Sequence, residues 1–190
     1  MVEATTINTT GDAVTFLIEQ HAQIRSLFDE VEHAPTADER EVKFYELRRL
    51  LAVHETAEEE IIHPLVRREV DDGAHIVDAR LEEENKAKRQ LADIEAVDID
   101  SIEFDVKLAK LREAVLAHAE HEEREEFNRL RAELEPNELE RLRSAVKFAE
   151  ATAPTRPHPG VESATGNILA GPFASMLDRA KDAISKPRNK

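Results

Sequence analysis

The stretch LAVHETAEEEIIHP, residues 51–64, decides the fold because it places a histidine and a glutamate on the face that an amphipathic helix should bury. Residues four apart in an α-helix lie about 40° apart around its axis, so His54 and Glu58 stack one turn apart on one side. That side also carries the apolar residues Leu47, Leu50, Ile61 and Leu65. Burying a carboxylate without a partner costs several kcal/mol. The pattern therefore predicts a charged partner, a metal ion or a different helix face.

Composition indicates an all-α protein with an acidic surface. The 190 residues include only five glycines, one tyrosine and no tryptophan, and Ala, Leu, Glu and Arg are abundant. Charged residues make up 35% of the chain, and the formal net charge is −15 at pH 7. Such a surface cannot replace the counterions of phosphates, so nucleic acid is not an expected partner.

Residue usage also bears on the compartment. The chain has no cysteine, and therefore neither disulfides nor thiolate ligands. No stretch approaches the roughly 20 apolar residues of a membrane span. The N-terminal residues MVEATTINTTGD lack the basic region and apolar run of a secretion signal. We predict a cytoplasmic protein.

Four long amphipathic segments with short links predict an up-down-up-down four-helix bundle, which together with a short fifth helix covers residues 12–150. The first helix begins at Asp12, whose side chain can cap it. The second runs to about Val70, with a kink at Pro64. The fifth helix begins at Pro136.

Residues 151–190 are predicted to form a separate extension. APTRPHPG, residues 153–160, has the composition of a proline-rich linker, and GPFASMLDRAKDAI, residues 171–184, can form an amphipathic helix. The extension has six Lys and Arg against three Asp and Glu, a net charge of +3. This tail helix is expected to dock on the acidic bundle; a membrane surface or a protein partner is the alternative.

The histidine and glutamate pair of the second helix recurs in the fourth. Sixty-four residues later the chain reads His118-x-x-x-Glu122. The first helix has one polar residue in the middle of its apolar stripe, His21, which lies 33 residues before His54. If the two helical hairpins are related by a pseudo-twofold axis, the third helix should present a ligand about 34 residues before His118. That residue is Glu84.

Three imidazoles and three carboxylates inside a four-helix bundle are typical of a dinuclear metal site with bridging glutamates and terminal histidines. The predicted ligands are His21, His54, Glu58, Glu84, His118 and Glu122. A single such pair on an acidic helix would be interpreted as a solvated ion pair, but two pairs at matching spacing favour a metal. A buried ion-pair network without metal is the structural alternative. Its charges would not balance at pH 7, because the ordinary pKa of histidine is about 6.5.

The remaining polar residues near these helices receive other predictions. His63, about 180° around the second helix from the metal-facing side, and His75, near the start of the third, are predicted to face solvent. His121 and Glu125 lie within about 60° of the fourth-helix ligands and are predicted to orient them or to carry protons. An alternative register would let one of the two coordinate the metal. Glu83 is predicted to face away, so that its replacement would leave the metal untouched.

These residues resemble the hemerythrin-like family of HHE cation-binding domains. That family has a lone histidine on the first helix and H-x-x-x-E pairs on the second and fourth, which here read EQHAQIRSLF, VHETAEEEIIHP and HAEHEEREEFNRL. The resemblance covers about residues 12–150. It implies a non-haem centre of two iron ions, with an oxygen bridge in some members, held by His21, His54, Glu58, His118 and Glu122. Manganese and zinc suit the same ligand types.

The sequence differs from oxygen-carrying hemerythrins in the third helix, where those proteins have histidines and this chain has ARLEEENKAKRQL, residues 79–91. A glutamate ligand should stabilise ferric iron and lower the reduction potential, which argues against reversible oxygen carriage. The resemblance implies a protein that binds or turns over oxygen, peroxide or nitric oxide. The alternative is an iron or oxygen sensing or storage module that signals to a protein partner through its tail.

Overall fold

The computed structural model describes residues 11–153 and contains five helices and no strand within that range. Helix α1 spans Ala13–Glu32; α2 comprises Ala37–Ala57, a π-helical turn at Glu58–Ile62, and His63–Glu69; α3 spans Gly73–Glu95; α4 comprises Ile102–Glu122, a π-helical turn at Glu123–Phe127, and Asn128–Glu133; and α5 spans Pro136–Thr152. The predicted all-α bundle with an extra helix is confirmed. The predicted linker and tail helix lie outside the described residues from position 154 onward.

Local sequence explains where the helices begin. The Asp12 carboxylate accepts a hydrogen bond of 2.6 Å from the backbone N–H of Thr15 and caps α1. Thr36 and Ser101 cap α2 and α4 in the same way. Pro136 occupies the first turn of α5, where its missing N–H costs nothing. These caps fix where along each helix the buried residues fall.

Two apolar clusters fill the two ends of the bundle. Cluster A is formed by the start of α1, the ends of α2 and α4, the start of α3 and one face of α5. Its residues include Val14, Leu17, Ile62, Val66, Val77, Phe127, Leu142 and Val146. Cluster B lies at the end with the α1–α2 and α3–α4 connections, and includes Ile24, Phe28, Leu47, Leu51, Leu91, Phe104, Leu108 and Val115. Each cluster removes large aliphatic and aromatic side chains from water, which is the main driving force for folding.

A layer of buried polar side chains separates the two clusters. In α1, for example, His21 lies between Leu17 of cluster A and Ile24 of cluster B. The other three long helices also carry buried polar residues between the two clusters. The buried polar layer includes Gln20, His21, His54, Glu55, Glu58, His63, Arg80, Glu84, Lys88, His118, Glu122 and Glu126. Four helices thus present polar side chains to one another at the same level of the bundle. In the part of the chain that the structure describes, no helix has the length and apolarity needed to cross a membrane.

The turn between α2 and α3 depends on Gly73. A Cβ atom built there would lie 2.1 Å from the backbone carbonyl oxygen of Val66, and a backbone group cannot swing aside as a flexible side chain can. The preceding residue, Asp72, has φ of 60°. The close approach of the two helices at this turn therefore requires glycine.

Gly73→Ala should lower the free energy of unfolding by about 1–3 kcal/mol, the usual cost of forcing extra atoms into a packed site. The measurement is urea denaturation followed by circular dichroism. Gly11→Ala is the matched control, because a Cβ there meets only the Thr15 side chain at 3.4 Å. Equal stabilities for the two variants would contradict this account of the turn.

Candidate metal centre

Five of the six predicted ligands converge through their ring Nε2 and carboxylate atoms. Nε2 of His21 lies 3.1 Å from Nε2 of His54 and 3.3 Å from Oε2 of Glu122. Nε2 of His54 lies 3.4 Å from Oε2 of Glu58. Nε2 of His118 lies 3.0 Å from the other oxygen of Glu122, Oε1. The Glu122 carboxylate therefore faces one imidazole with each oxygen.

Glu84, the ligand inferred from pseudosymmetry alone, lies fully buried in the same layer. One of its ligand atoms groups with atoms of Glu55 and His118, and another grouping joins it to His63 and Glu122; within each group all atoms lie within 4.8 Å of one another. A third group joins His21, His54, Glu58 and Glu122. The structure thus brings all six predicted residues together.

The outer ring nitrogen of each predicted histidine ligand faces an oxygen acceptor. The acceptors, with their distances from Nδ1, are Glu123 at 2.8 Å for His21, Gln20 at 2.9 Å for His54 and Glu83 at 3.1 Å for His118. Such acceptors fix a metal-binding imidazole with its proton on Nδ1, leaving the Nε2 lone pair free to bind the metal. Gln20 in turn donates a 2.6 Å hydrogen bond to Glu150, so α5 also supports the layer.

The π-helical turn in α2 overturns the prediction for His63. In a continuous α-helix His63 would lie about 180° from His54, but a π turn contains an extra residue and sets the following residues back by about 100°. His63 consequently turns inward and is 2% exposed. Its Nε2 lies 2.6 Å from Oε1 of Glu84, and its Nδ1 lies 3.2 Å from Oε2 of Glu126. The prediction that His63 faces solvent is wrong; that for His75 is confirmed.

The π turn in α4 has a similar effect. Glu126, which the sequence interpretation passed over, is fully buried, while Glu125 turns toward the guanidinium groups of Arg80 and Arg124. Glu125 therefore reaches the centre only through Arg80, which also contacts Glu83. The sequence EREE, residues 123–126, does not by itself indicate which glutamate faces inward. The π turn decides that this residue is Glu126.

Glu83 does not face away from the site as predicted. One of its carboxylate oxygens accepts from Nδ1 of His118, and the other lies 2.9 Å from Nδ1 of His121. His121 is about one-third exposed, so a chain of contacts runs from solvent through His121 and Glu83 to His118. Glu82 is exposed, so on this helix the replacement expected to leave the metal unaffected is that of Glu82 and not that of Glu83.

The unsatisfied atoms of the layer fit a bound cation. Both carboxylate oxygens of Glu58 and of Glu122, one oxygen of Glu84 and Nε2 of His118 are buried without a hydrogen-bond partner in the described structure. The short contact between His118 and Glu122 lacks hydrogen-bond geometry, as expected when two ligands point at a shared ion. Leaving such groups unpaired costs about 1–3 kcal/mol each. Nitrogen and oxygen donors of this kind suit iron, manganese or zinc.

The electrostatics of the layer lead to the same conclusion. Burial raises the pKa of Glu58 well above its ordinary value, and the neighbouring Glu122 and Glu55 raise it further. Burial, helped by Glu84, raises the pKa of Glu55 to about 8. Burial would also raise the pKa of Glu84, but His63, His118 and Lys88 together outweigh it and lower that pKa to about 2. Like charges therefore compete within the layer, and a metal ion would allow all of these carboxylates to ionise.

The four-helix architecture and this buried set of imidazoles and carboxylates are those of a helical cation-binding protein. A family model described as the Hemerythrin HHE cation binding domain matches residues 12–130, well over half of the chain, and the chain belongs to this family. The resemblance found in the sequence is thereby confirmed.

Two known proteins are similar to this chain. A Hemerythrin HHE cation binding domain-containing protein from Mycobacterium kansasii, known from a crystal structure, superposes with a TM-score of 0.64 at 20% identity, covering 75% of this chain and 86% of that one. It shares the fold. A protein of Nostoc sp. (strain PCC 7120 / SAG 25.82 / UTEX 2576) named DNA nickase is 26% identical over 131 residues. The match covers 69% of this chain but only 37% of the nickase, so the chain spans little more than a third of that relative's length.

Metal-free protein should lose stability between pH 6.5 and 8. A group whose pKa is higher in the folded state stabilises the fold less as the pH rises toward that folded value. The pKa values of Glu55 and Glu58 are raised by burial. Burial would lower the pKa of His63, but Glu84 and Glu126 together outweigh it and raise that pKa. Burial would also lower the pKa of His118, but Glu122, Glu83 and Glu55 together raise it. The loss should be at least about 1 kcal/mol, since one pKa unit corresponds to about 1.4 kcal/mol.

Urea unfolding of chelator-treated protein at the two pH values measures this effect. Added divalent metal should reverse the trend, because metal binding displaces the protons held by these groups. The Glu58→Gln variant, which lacks one titrating carboxyl group, should show a weaker pH dependence. A metal-free protein that becomes more stable as the pH rises would contradict the electrostatic account.

Glu84→Ala is expected to reduce the metal content or shift the optical spectrum of metal-loaded protein, because it removes a buried carboxylate of the predicted ligand set. Glu82→Ala is the matched control on the same helix and should do neither. Glu83→Ala should weaken metal binding by about 10–100-fold, the usual cost of losing the acceptor behind a histidine ligand. Metal analysis and titration test all three, and equal affinities for the Glu82 and Glu84 variants would rule out Glu84 as a ligand.

Proposed function

We propose that this protein is a non-haem di-iron protein that binds or turns over oxygen, hydrogen peroxide or nitric oxide. The observation that carries the proposal is the position of Glu122, whose two carboxylate oxygens face the imidazoles of His21 and His118. A carboxylate placed in this way could contribute one oxygen to each of two ions. We assign the ligands as His21, His54, Glu58, Glu84, His118 and Glu122. Two bound iron ions would supply the redox chemistry toward oxygen or peroxide.

The protein's own residues prepare the site for such a centre. The acceptors Gln20, Glu83 and Glu123 hold the imidazoles with Nε2 inward. The two apolar clusters exclude bulk water from both sides of the polar layer. An anionic ligand set with Glu84 in place of an imidazole favours the ferric state and disfavours reversible oxygen carriage.

We assign His121 to proton transfer. It is partly exposed and lies 2.9 Å from the Glu83 carboxylate, which contacts the proposed ligand His118. A histidine in this position can exchange protons with solvent and pass them toward the centre. Glu125 has a positioning role, because it contacts Arg80, which also holds Glu83.

Peroxide decomposition is the activity to test. Iron-loaded protein, purified without a metal-affinity tag, should release oxygen from hydrogen peroxide faster than the same concentration of free iron and should keep its iron. Glu122→Gln should lower the rate by at least about tenfold, because it disturbs the shared carboxylate. The Glu82→Ala variant should match the wild type. Oxygen release no faster than that of free iron, or loss of iron during turnover, would exclude this activity.

The second candidate function is sensing or storage of iron or oxygen. It is favoured by the contacts that join His54 through Gln20 to Glu150, near the end of α5 and just ahead of the predicted tail. A change at the metal could pass along these contacts to a partner of the tail. Protein that keeps two iron ions but leaves peroxide intact would favour this function over the first.

The name of the Nostoc relative does not lead us to propose DNA chemistry. The net charge of −15 opposes binding to phosphates, and we propose that nucleic acid is not a ligand of this chain. The cytoplasmic location stays a prediction from composition.

A further inference from the structure

His63 is a buried imidazole that the six-residue ligand set does not include. Its environment matches that of the three proposed histidine ligands. Nε2 points into the polar layer, 2.6 Å from Oε1 of Glu84, and Nδ1 lies 3.2 Å from Oε2 of Glu126, a carboxylate outside the proposed ligand set. Glu126 thus stands behind His63 as Glu83 stands behind His118. An inward Nε2 with an acceptor on Nδ1 is the arrangement of a metal-binding histidine.

The pseudosymmetry of the bundle gives an independent reason. His63 and Phe127 are equivalent positions, each nine residues after the histidine of its helix. The Phe127 ring stacks on the imidazole of His21 at a centroid distance of 5.6 Å, and His63 contacts Glu84, the counterpart of His21. In one half the proposed ligand His21 lies beside the apolar ring of Phe127. In the other half the proposed ligand Glu84 lies beside the imidazole of His63. In that half the inward-facing imidazole is therefore on α2 and not on α3.

We propose that His63 is a fourth imidazole ligand of the centre and binds the same ion as Glu84 and His118. This inference rests on the proposed metal centre. With His63 included, each ion receives two imidazoles: His21 and His54 bind one ion, and His63 and His118 bind the other. Glu122, whose two oxygens face His21 and His118, would be shared by the two pairs. Atoms of His63, Glu84 and the shared carboxylate Glu122 already lie within 4.8 Å of one another.

The alternative is that His63 is only the charged partner of Glu84 and Glu126. Lys88 already supplies a positive charge to Glu84, with Nζ at 3.5 Å from Oε2. An ion pair between His63 and Glu84 would leave His118 as the one imidazole on that side of the centre, against two on the other. Direct coordination and ion pairing differ in a spectroscopic signature, and this difference provides the test.

The test uses His63→Cys and cobalt(II) as the probe metal. The chain contains no cysteine, so a thiolate-to-cobalt charge-transfer band in the near-ultraviolet can come only from the introduced side chain. We expect wild-type protein to bind two cobalt ions per chain without this band, and His63→Cys to show it. His75→Cys is the matched control, since His75 is an exposed histidine of α3, and it should show no band.

Each outcome separates the two proposals. A His63→Cys protein that binds two cobalt ions without the thiolate band overturns the assignment of His63 and leaves the metal centre intact. Wild-type protein that binds neither cobalt nor iron overturns the proposed function itself.

His63→Gln provides a second test that does not depend on the cysteine variant. With helical content unchanged by circular dichroism, it should retain about half of the wild-type cobalt, because one ion loses a ligand. Retention of two ions with the wild-type visible spectrum would overturn the assignment.

Discussion

The structure depends on one constraint: carboxylates and imidazoles are buried together in the middle of a bundle whose two ends are apolar. Glu58, Glu84 and Glu122 are removed from water, and burial raises the pKa of Glu58 well above its ordinary value. The hydrophobic energy of the two end clusters holds these groups together although they repel one another. A cation bound at the centre would offset the repulsion among these buried carboxylates.

Two π-helical turns adapt the bundle to that use. A regular α-helix presents residues three, four and seven positions apart to a common site, but a residue nine positions further along lies on the opposite face. The π turns at Glu58–Ile62 and Glu123–Phe127 begin beside the metal-facing pairs and set the rest of each helix back. They bring His63 and Glu126 inward without breaking either helix. Such turns are frequent at functional sites because they change the helical phase locally.

The outer contacts organise the polar layer as much as the inner ones. Gln20, Glu83 and Glu123 each accept from an Nδ1 atom, and their own partners extend the network to Glu150 of α5, to Arg80 and to His121. The fifth helix is therefore part of the site's support, although no proposed ligand lies on it. Glu83 belongs to this support as well, because its carboxylate contacts Nδ1 of the proposed ligand His118.

The sequence by itself determined the helical bundle, the starts of α1 and α5 and the six predicted residues that the structure brings together in the polar layer. It did so because apolar periodicity fixes which face of a helix is buried, and because the repeat of His54 and Glu58 in the fourth helix locates Glu84 by symmetry. Only the tertiary structure decided the positions of His63, Glu126 and Glu83. The first two depend on π turns, which shift the helical phase without a signature in residue type. Glu83 is bound by His118 and His121 on the neighbouring helix, a contact that helix periodicity cannot foresee.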